Sequence, residues 1–173
     1  DLMSEPNEEY EIQHVFDHAL AELMSRDLAL KRSGRASELV VDASLPRLEG
    51  NRHRMRQIIE YLLDNAFRYS LDGTPVRARA RLEYEGRGEE LVVEIEDEGV
   101  GIATEHHQEI FAPLWRVDSS TTRDTDGIGL SLHIARQMAQ GMGGSLRVRS
   151  TLGEGSTFVL RVPAVRAAGE LET

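Results

Sequence analysis

The chain has 173 residues, of which 40% are hydrophobic and 29% charged, a composition ordinary for a soluble globular protein with one substantial core. Its formal net charge of −10 argues against a general nucleic-acid-binding surface, because phosphate backbones repel an acidic protein, but a local cluster of donors could still bind a nucleotide. The absence of cysteine excludes disulfides and thiolate metal sites, and no apolar run reaches the roughly 20 residues of a membrane-spanning helix.

The first half of the chain predicts two amphipathic helices. Residues 1–10 are polar and predict an irregular lead-in, and the start at Asp1 suggests a piece of a longer protein. Apolar residues then recur at helical spacing from Glu11 to about Lys31, and again from Arg52 to Tyr69. Between these helices, residues 38–43 predict a short strand.

The second half predicts two antiparallel pairs of strands, each joined by a glycine-containing turn, with helical segments between the pairs. These elements are strands 76–84, 90–97, 145–150 and 156–162, a short helical stretch 105–111 and a helix 127–140. Residues 164–173 predict a frayed tail. Because strands and helices mix without a strict βαβ rhythm, we expect an α/β two-layer sandwich, with a mixed, mostly antiparallel sheet and three main helices on one face. The expected domain covers residues 11–163.

A carboxamide and a guanidinium lie near the end of the second helix, in the segment 61–70. Asn65 and Arg68 are three residues apart and therefore share one face of the helix. The Asn65 amide oxygen could ligate Mg²⁺, which prefers oxygen ligands, and Arg68 could pair with phosphate. The alternative is a helix end with a solvated polar face.

Glycine-rich segments follow the second strand of the first pair and open the third helix. Asp97 ends that strand, where its carboxylate could accept a hydrogen bond from an exocyclic amine such as adenine N6, and the next glycines allow close backbone approach. The segment 126–130 could bind phosphate through free N–H groups at a helix N-terminus. The alternative for the Asp97 segment is a plain tight turn. The alternative for the segment 126–130 is a flexible loop that ends in a helix capped by Asp126. The segment 153–158 by itself predicts only a hairpin turn.

In order and spacing, these four segments resemble the N box and the three glycine boxes of the GHKL ATP-binding superfamily. That superfamily includes histidine kinases, gyrase-type topoisomerases, MutL and a large heat-shock chaperone. The segment 110–118 is similar to the F box of histidine kinases, which the other branches lack. The resemblance extends from about Glu11 to Pro163. It implies the Bergerat ATP-binding fold and the catalytic domain of a sensor histidine kinase.

The resemblance implies a role for each matching position. Asn65 would ligate Mg²⁺ and Arg68 would contact the phosphates, as the catalytic pair. Asp97 would bind adenine, with Ser156 assisting through water, and residues 113–126 would form the ATP lid. The other implied nucleotide contacts are Tyr69, Gly99, Val100, Gly101, Ile102, Gly127, Ile128, Gly129 and Leu130.

The implied activity is that of an ATP-dependent protein-histidine kinase. The domain would bind Mg–ATP and transfer the γ-phosphoryl group to a histidine on upstream dimerisation helices of the same protein, with a response regulator as partner and no nucleic acid. We expect this chain to be monomeric and cytoplasmic. We expect the parent protein to be a homodimer, and a membrane anchor in that parent is compatible with this expectation. Phe111 and Trp115 would either dock on the partner helices or pack in the core.

Besides Arg68 for the usual lysine and Ser156 for the usual threonine, the sequence departs from the family pattern at three positions. Tyr61 stands where histidine kinases usually have asparagine and the ATPase branches a glutamate base, and Glu60 lies on a different side of the helix, which argues against a hydrolytic ATPase. Thr125 replaces the first glycine of the second glycine box, and Leu114 replaces a phenylalanine. These changes leave open a degenerate nucleotide-binding switch without phosphotransfer. An anti-sigma serine kinase is a further alternative, against which the F box argues.

None of the histidines has the sequence context of a phosphoacceptor, which in the family is followed by an acidic and then a basic residue. The pair His14 and His18 shares a helix face, but no third metal ligand accompanies it. We therefore expect the acceptor histidine to lie outside this chain.

Overall fold

The computed structural model describes residues 6–86, 88–115 and 131–169. None of the helices in these ranges is long and apolar enough to cross a membrane. The described strands are β1 (Glu8–Tyr10), β2 (Leu39–Asp42), β3 (Leu48–Gly50), β4 (Val76–Glu85), β5 (Gly88–Asp97), β6 (Ser145–Thr151) and β7 (Gly155–Pro163). The described helices are α1 (Ile12–Arg26), α2 (Leu28–Ser33), α3 (Arg52–Tyr69) and α4 (Ser131–Gly141), and short 3₁₀ turns cover Arg35–Glu38, Thr104–His106 and Glu109–Phe111.

A five-stranded sheet in the order β2-β4-β5-β7-β6 forms one layer of the molecule. The β2 strand runs parallel to β4, and the other neighbours are antiparallel. Alternate residues of β5, such as Leu91, Val93 and Ile95, are fully buried and belong to the core beneath the helices. This arrangement confirms the predicted α/β sandwich with a mostly antiparallel sheet.

The helical layer is held together mainly by the packing of α1 against α3. Val15 and Phe16 of α1, and Met55 and Ile58 of α3, have no exposed surface. The buried Glu60 carboxylate of α3 bonds Arg56 on its own helix, at 2.6 Å between Nη1 and Oε2, and Arg26 on α1. Glu60 is therefore a structural tie between the two helices.

Ion pairs cover the outer face of the sheet, opposite the helices. Glu94 is only 8% exposed and lies between Arg149, at 2.9 Å from Nη2 to Oε1, and Arg81, at 3.4 Å from Nη1 to Oε2. The neighbouring Val92 is fully buried on this face. Arginines that alternate with apolar residues along β4 thus pair with glutamates of β5 and stabilise the sheet itself.

The first predicted helix is wrong in one respect, because it divides in two at Asp27. The Asp27 backbone leaves the helical region, and its side chain accepts a hydrogen bond from the Leu30 N–H at 2.9 Å, so Asp27 caps α2. The lead-in is also less irregular than predicted, since Glu8–Tyr10 pairs with β3 as an antiparallel ribbon.

The predicted frayed tail is wrong for residues 164–169, which pack onto the domain. The Glu49 N–H donates to the Val165 carbonyl at 2.8 Å, and Ala167 is buried. Arg166 binds Glu89 through two hydrogen bonds of 2.8 Å. This segment thereby extends the β1–β3 ribbon, although its local sequence has no strand pattern.

Replacing the cap of α3 should weaken the domain measurably. The Asn51 side chain accepts a hydrogen bond from the Arg54 N–H at 3.0 Å at the start of α3. We predict that Asn51→Ala lowers the free energy of unfolding by about 1 kcal/mol in urea titrations. The exposed Asn7 supplies the control, since Asn7→Ala should leave stability close to wild type. Equal stability of both variants would contradict a capping role.

Candidate functional site

Three segments that the sequence singles out meet at one edge of the sheet. The C-terminal end of α3 touches the loop after β5 through the Ser70–Gly99 bridge, and the Leu71 N–H donates to the Glu98 carbonyl at 3.3 Å. The β6–β7 turn joins the same loop, because the Gly153 N–H donates to the Val100 carbonyl at 2.7 Å. The N-box region and the first and third glycine segments therefore form one cluster.

Asp97 is the buried acid of this cluster. It is the last residue of β5, lies on the helix-facing side with only 3% exposure, and accepts a hydrogen bond from the Gly99 N–H at 2.9 Å. Burial raises the pKa of Asp97 to about 6, although backbone hydrogen bonds from Gly99 and Ser156 act in the opposite direction. The carboxylate is thus mostly ionised at pH 7 and acts as a hydrogen-bond acceptor.

Two glycines allow the segments around Asp97 to approach closely. A Cβ atom on Gly99 would lie 2.2 Å from the Tyr69 carbonyl oxygen and 2.7 Å from the Asp97 Oδ1 atom. Gly101 has a φ of 70°, and a Cβ atom there would lie 2.1 Å from the Thr151 carbonyl oxygen. Besides any approach to a ligand, these glycines are required by backbone-to-backbone contacts of the protein itself.

Ser156 lies beside Asp97 on the neighbouring strand. The two residues are opposite each other in the β5–β7 register, and Ser156 is buried. Its hydroxyl oxygen lies 2.8 Å from the Ser150 hydroxyl oxygen, and the Ile102 N–H also donates to Ser150 at 2.7 Å. Sequence reasoning identified Ser156 and Ile102, but it missed Ser150.

The end of α3 presents the predicted phosphate-side residues. Asn65 and Arg68 are both half-buried, and Tyr69 is 37% exposed. The Arg68 Nη2 atom lies 3.3 Å from the Asp64 Oδ2 atom. The Asn65 carboxamide makes no hydrogen bond to any residue within the described ranges, so its amide oxygen is not engaged by them.

Arg35 fastens this end of α3, and sequence reasoning missed it. Its guanidinium donates to the Phe67 carbonyl at 2.7 Å and to the Ser70 hydroxyl, and it lies 5.8 Å from the centre of the Phe67 ring. The Phe67 contact joins residues 32 positions apart in the sequence. No local pattern could have indicated this partner.

The two aromatic residues of the F-box segment differ in their surroundings. Phe111 is buried, meets Phe158 edge-on with ring centres 6.2 Å apart, and lies 4.8 Å from the Arg136 guanidinium carbon. Trp115 is half-buried, with its ring centre 5.5 Å from that of His106. Core packing therefore accounts for Phe111.

Part of the predicted site lies outside the described residues. This part contains Thr125, most of the expected lid, and the phosphate-binding segment Gly127, Ile128, Gly129 and Leu130. Among the predicted contacts that the structure describes, Val100 lies in the loop after β5 and is 54% exposed.

Comparison with known proteins identifies the family. Residues 50–166 match the family described as histidine kinase-, DNA gyrase B-, and HSP90-like ATPase, and the chain belongs to this family. The sensor protein SrrB of Staphylococcus aureus strain NCTC 8325 / PS 47 is 38% identical over 110 residues, or 64% of this chain. Those residues span 18% of the length of SrrB, less than a fifth of that relative.

Solved structures have the same architecture. Full-length ShkA in complex with AMPPNP matches with a TM-score of 0.71 and 26% identity, over 95% of this chain and 32% of that one. The mycobacterial sensor histidine kinase MprB matches in fold with a TM-score of 0.67 and 22% identity, over 93% and 99% of the two chains. Together with SrrB, these matches confirm the resemblance to the ATP-binding domain of sensor histidine kinases.

The raised pKa of Asp97 predicts a pH-dependent effect on stability. Between the ordinary value of 3.8 and about 6, the folded state binds more protons at Asp97 than the unfolded state does. The contribution of Asp97 to stability is therefore fullest below pH 3.8 and falls as the pH rises through 6. The unfolding free energy of wild type, minus that of Asp97→Asn, should fall by about 2 to 3 kcal/mol from pH 4 to 7 in urea titrations.

The exposed Glu154, at the β6–β7 turn, provides the control for this measurement. Glu154→Gln should follow the wild-type pH dependence. A pH-independent difference between wild type and Asp97→Asn would contradict the burial of an ionised Asp97.

The close approach at Gly101 can be separated from its backbone conformation. Gly101 and Gly153 both have positive φ, of 70° and 86°, but a Cβ atom on Gly153 would meet nothing within 4 Å. We predict that Gly153→Ala costs about 1 kcal/mol of unfolding free energy, and Gly101→Ala at least about 2 kcal/mol more. Thermal unfolding measures both variants, and equal losses would contradict the contact with Thr151.

Proposed function

We propose that the cluster around Asp97 and the end of α3 binds Mg–ATP, and that the domain supplies the γ-phosphoryl group to a histidine on dimerisation helices of its parent protein. The observation that carries this proposal is the buried Asp97 carboxylate, which precedes a loop that the Ser70–Gly99 bridge joins to the end of α3, the helix that bears Asn65 and Arg68. Membership of the ATPase family and the likeness to sensor kinases support it.

At the adenine end, Asp97 would accept a hydrogen bond from the exocyclic amine of the base. An ionised carboxylate is an acceptor only, so it suits an N–H donor and disfavours a carbonyl oxygen. Ser156 is adjacent to Asp97 in the sheet register and would assist, directly or through water.

At the phosphate end, Asn65 and Arg68 would act together. Arg68 lies beside Asp64 at 3.3 Å, a long contact that a phosphate oxygen could replace. The described residues contain no cluster of three or more acidic or histidine side chains that could hold a metal ion alone. The single amide oxygen of Asn65 suits Mg²⁺ of the kind that receives its remaining ligands from phosphates and water. When bound, Mg²⁺ would neutralise charge on the phosphates.

The side chains of α3 disfavour hydrolysis as the main activity. Glu60 bonds both Arg26 and Arg56 and is buried, so it is not placed to activate a water molecule. Tyr61 packs against the core and has no carboxylate to act as a general base. Transfer therefore requires an external nucleophile, which the imidazole of the parent's acceptor histidine would supply by forming an N–P bond as ADP leaves.

Calorimetric titration with ATP and Mg²⁺ tests the nucleotide site. We predict binding in the micromolar range at pH 7.5, weakened by about tenfold or more in Asp97→Asn, because the amide replaces a charged acceptor. Glu154→Gln is the matched control and should bind as wild type does. Wild-type affinity should also fall below about pH 6, where Asp97 gains a proton. Absence of wild-type binding would overturn the proposal.

Phosphotransfer requires the longer parent chain. Incubation with γ-labelled ATP should label a histidine in the parent's upstream helices, and Asn65→Ala should abolish the labelling. Binding without labelling of the intact parent would favour the degenerate switch instead. A response regulator that removes the label would identify the proposed downstream partner.

A further inference from the structure

Ser150 lies at the centre of a hydrogen-bond network behind the proposed adenine contact. Its hydroxyl oxygen accepts a hydrogen bond from the Ile102 N–H at 2.7 Å and lies 2.8 Å from the Gly155 carbonyl oxygen. The Ser156 hydroxyl oxygen is also 2.8 Å away. One side chain on β6 therefore joins the loop after β5 to the start of β7.

The partners of Ser150 determine the direction of each hydrogen bond. A serine hydroxyl has one proton and two lone pairs. Because a carbonyl oxygen can only accept, Ser150 must donate its proton to Gly155. Ser156 must then donate its own proton to Ser150, which completes the two acceptor positions of the Ser150 oxygen. As a result, Ser156 has only lone pairs to offer to a ligand or a water molecule.

We infer that Ser150 is a positioning residue that fixes Ser156 as a hydrogen-bond acceptor and thereby makes the pocket selective for a 6-amino purine over a 6-oxo purine. This inference rests on the proposed function, since it assigns the base specificity of the same site. Asp97 and Ser156 stand side by side on adjacent strands, so two acceptors line this part of the wall.

The 6-amino group of adenine is complementary to the two acceptors, Asp97 and Ser156. Adenine presents an N–H donor at its 6-position, whereas a 6-oxo purine presents an acceptor there. An oxygen facing two acceptors would leave polar groups unpaired, which is the most effective way for a site to reject a ligand. Without Ser150, the Ser156 hydroxyl could rotate and donate to the oxo group, which would relax the discrimination.

The test compares ATP with inosine triphosphate, whose base carries oxygen at the 6-position. Both are titrated with Mg²⁺ into wild type, Ser150→Ala, Ser156→Ala and the double variant. We expect the ratio of ATP to inosine triphosphate affinity to fall about tenfold in Ser150→Ala. Ser156→Ala should lower the ratio as well, and in that background Ser150→Ala should have no further effect. Ser145→Ala, on the same strand but opposite Arg161 at its far end, is the control and should keep the wild-type ratio.

A purely structural role for Ser150 would weaken both nucleotides equally and persist in the Ser156→Ala background, and either result overturns the inference. Ser156→Ala leaves the Ile102 and Gly155 bonds in place, so an unchanged ratio in that variant overturns it even if Ser150→Ala fails to fold. Failure of wild type to bind ATP would instead contradict the proposed function.

Discussion

The burial of one carboxylate governs the structure around the site. Removing Asp97 from water costs free energy, and its raised pKa expresses that cost, which the N–H groups of Gly99 and Ser156 offset only in part. For the Gly99 N–H to reach Asp97, the loop must pass close to the Tyr69 carbonyl, where any side chain would collide. The end of α3, the loop after β5 and the start of β7 are thus all arranged around a single acceptor that is costly to bury.

The same helix serves the core and the site. The middle of α3 is buried against α1 and the sheet, while its C-terminal part carries Asn65 and Arg68, which are both half-buried. The last carbonyls of a helix have no partner within it, and Arg35, from another part of the chain, donates to one of them, the Phe67 carbonyl. Arg35 therefore stabilises the end of the helix that carries Asn65 and Arg68, the residues proposed to contact Mg²⁺ and phosphate.

Sequence reasoning succeeded where a local pattern determines the structure. The limits of α3 match the prediction because apolar spacing and a glycine-containing turn agree, and Asp97 ends its strand as predicted because glycines follow it. The ribbon β1–β3, the packed residues 164–169 and the role of Arg35 depend on partners far away in sequence, so no local pattern indicates them. Ser150 belongs to the same group, since its three hydrogen-bond partners come from the loop after β5 and the start of β7.

The contrast between Glu60 and Asp97 supports the proposal that this domain serves phosphotransfer and not hydrolysis. Both carboxylates are buried, but two arginines bind Glu60, whereas Asp97 accepts hydrogen bonds from the backbone N–H groups of Gly99 and Ser156. The Glu60 carboxylate is thus already engaged by two arginines, whereas Asp97 lines a surface cavity together with Ser156. Under the proposed function, Asp97 would bind the base, and neither Glu60 nor Tyr61 is placed to activate a water molecule. In the proposed reaction, transfer of the γ-phosphoryl group would therefore require a nucleophile from another domain.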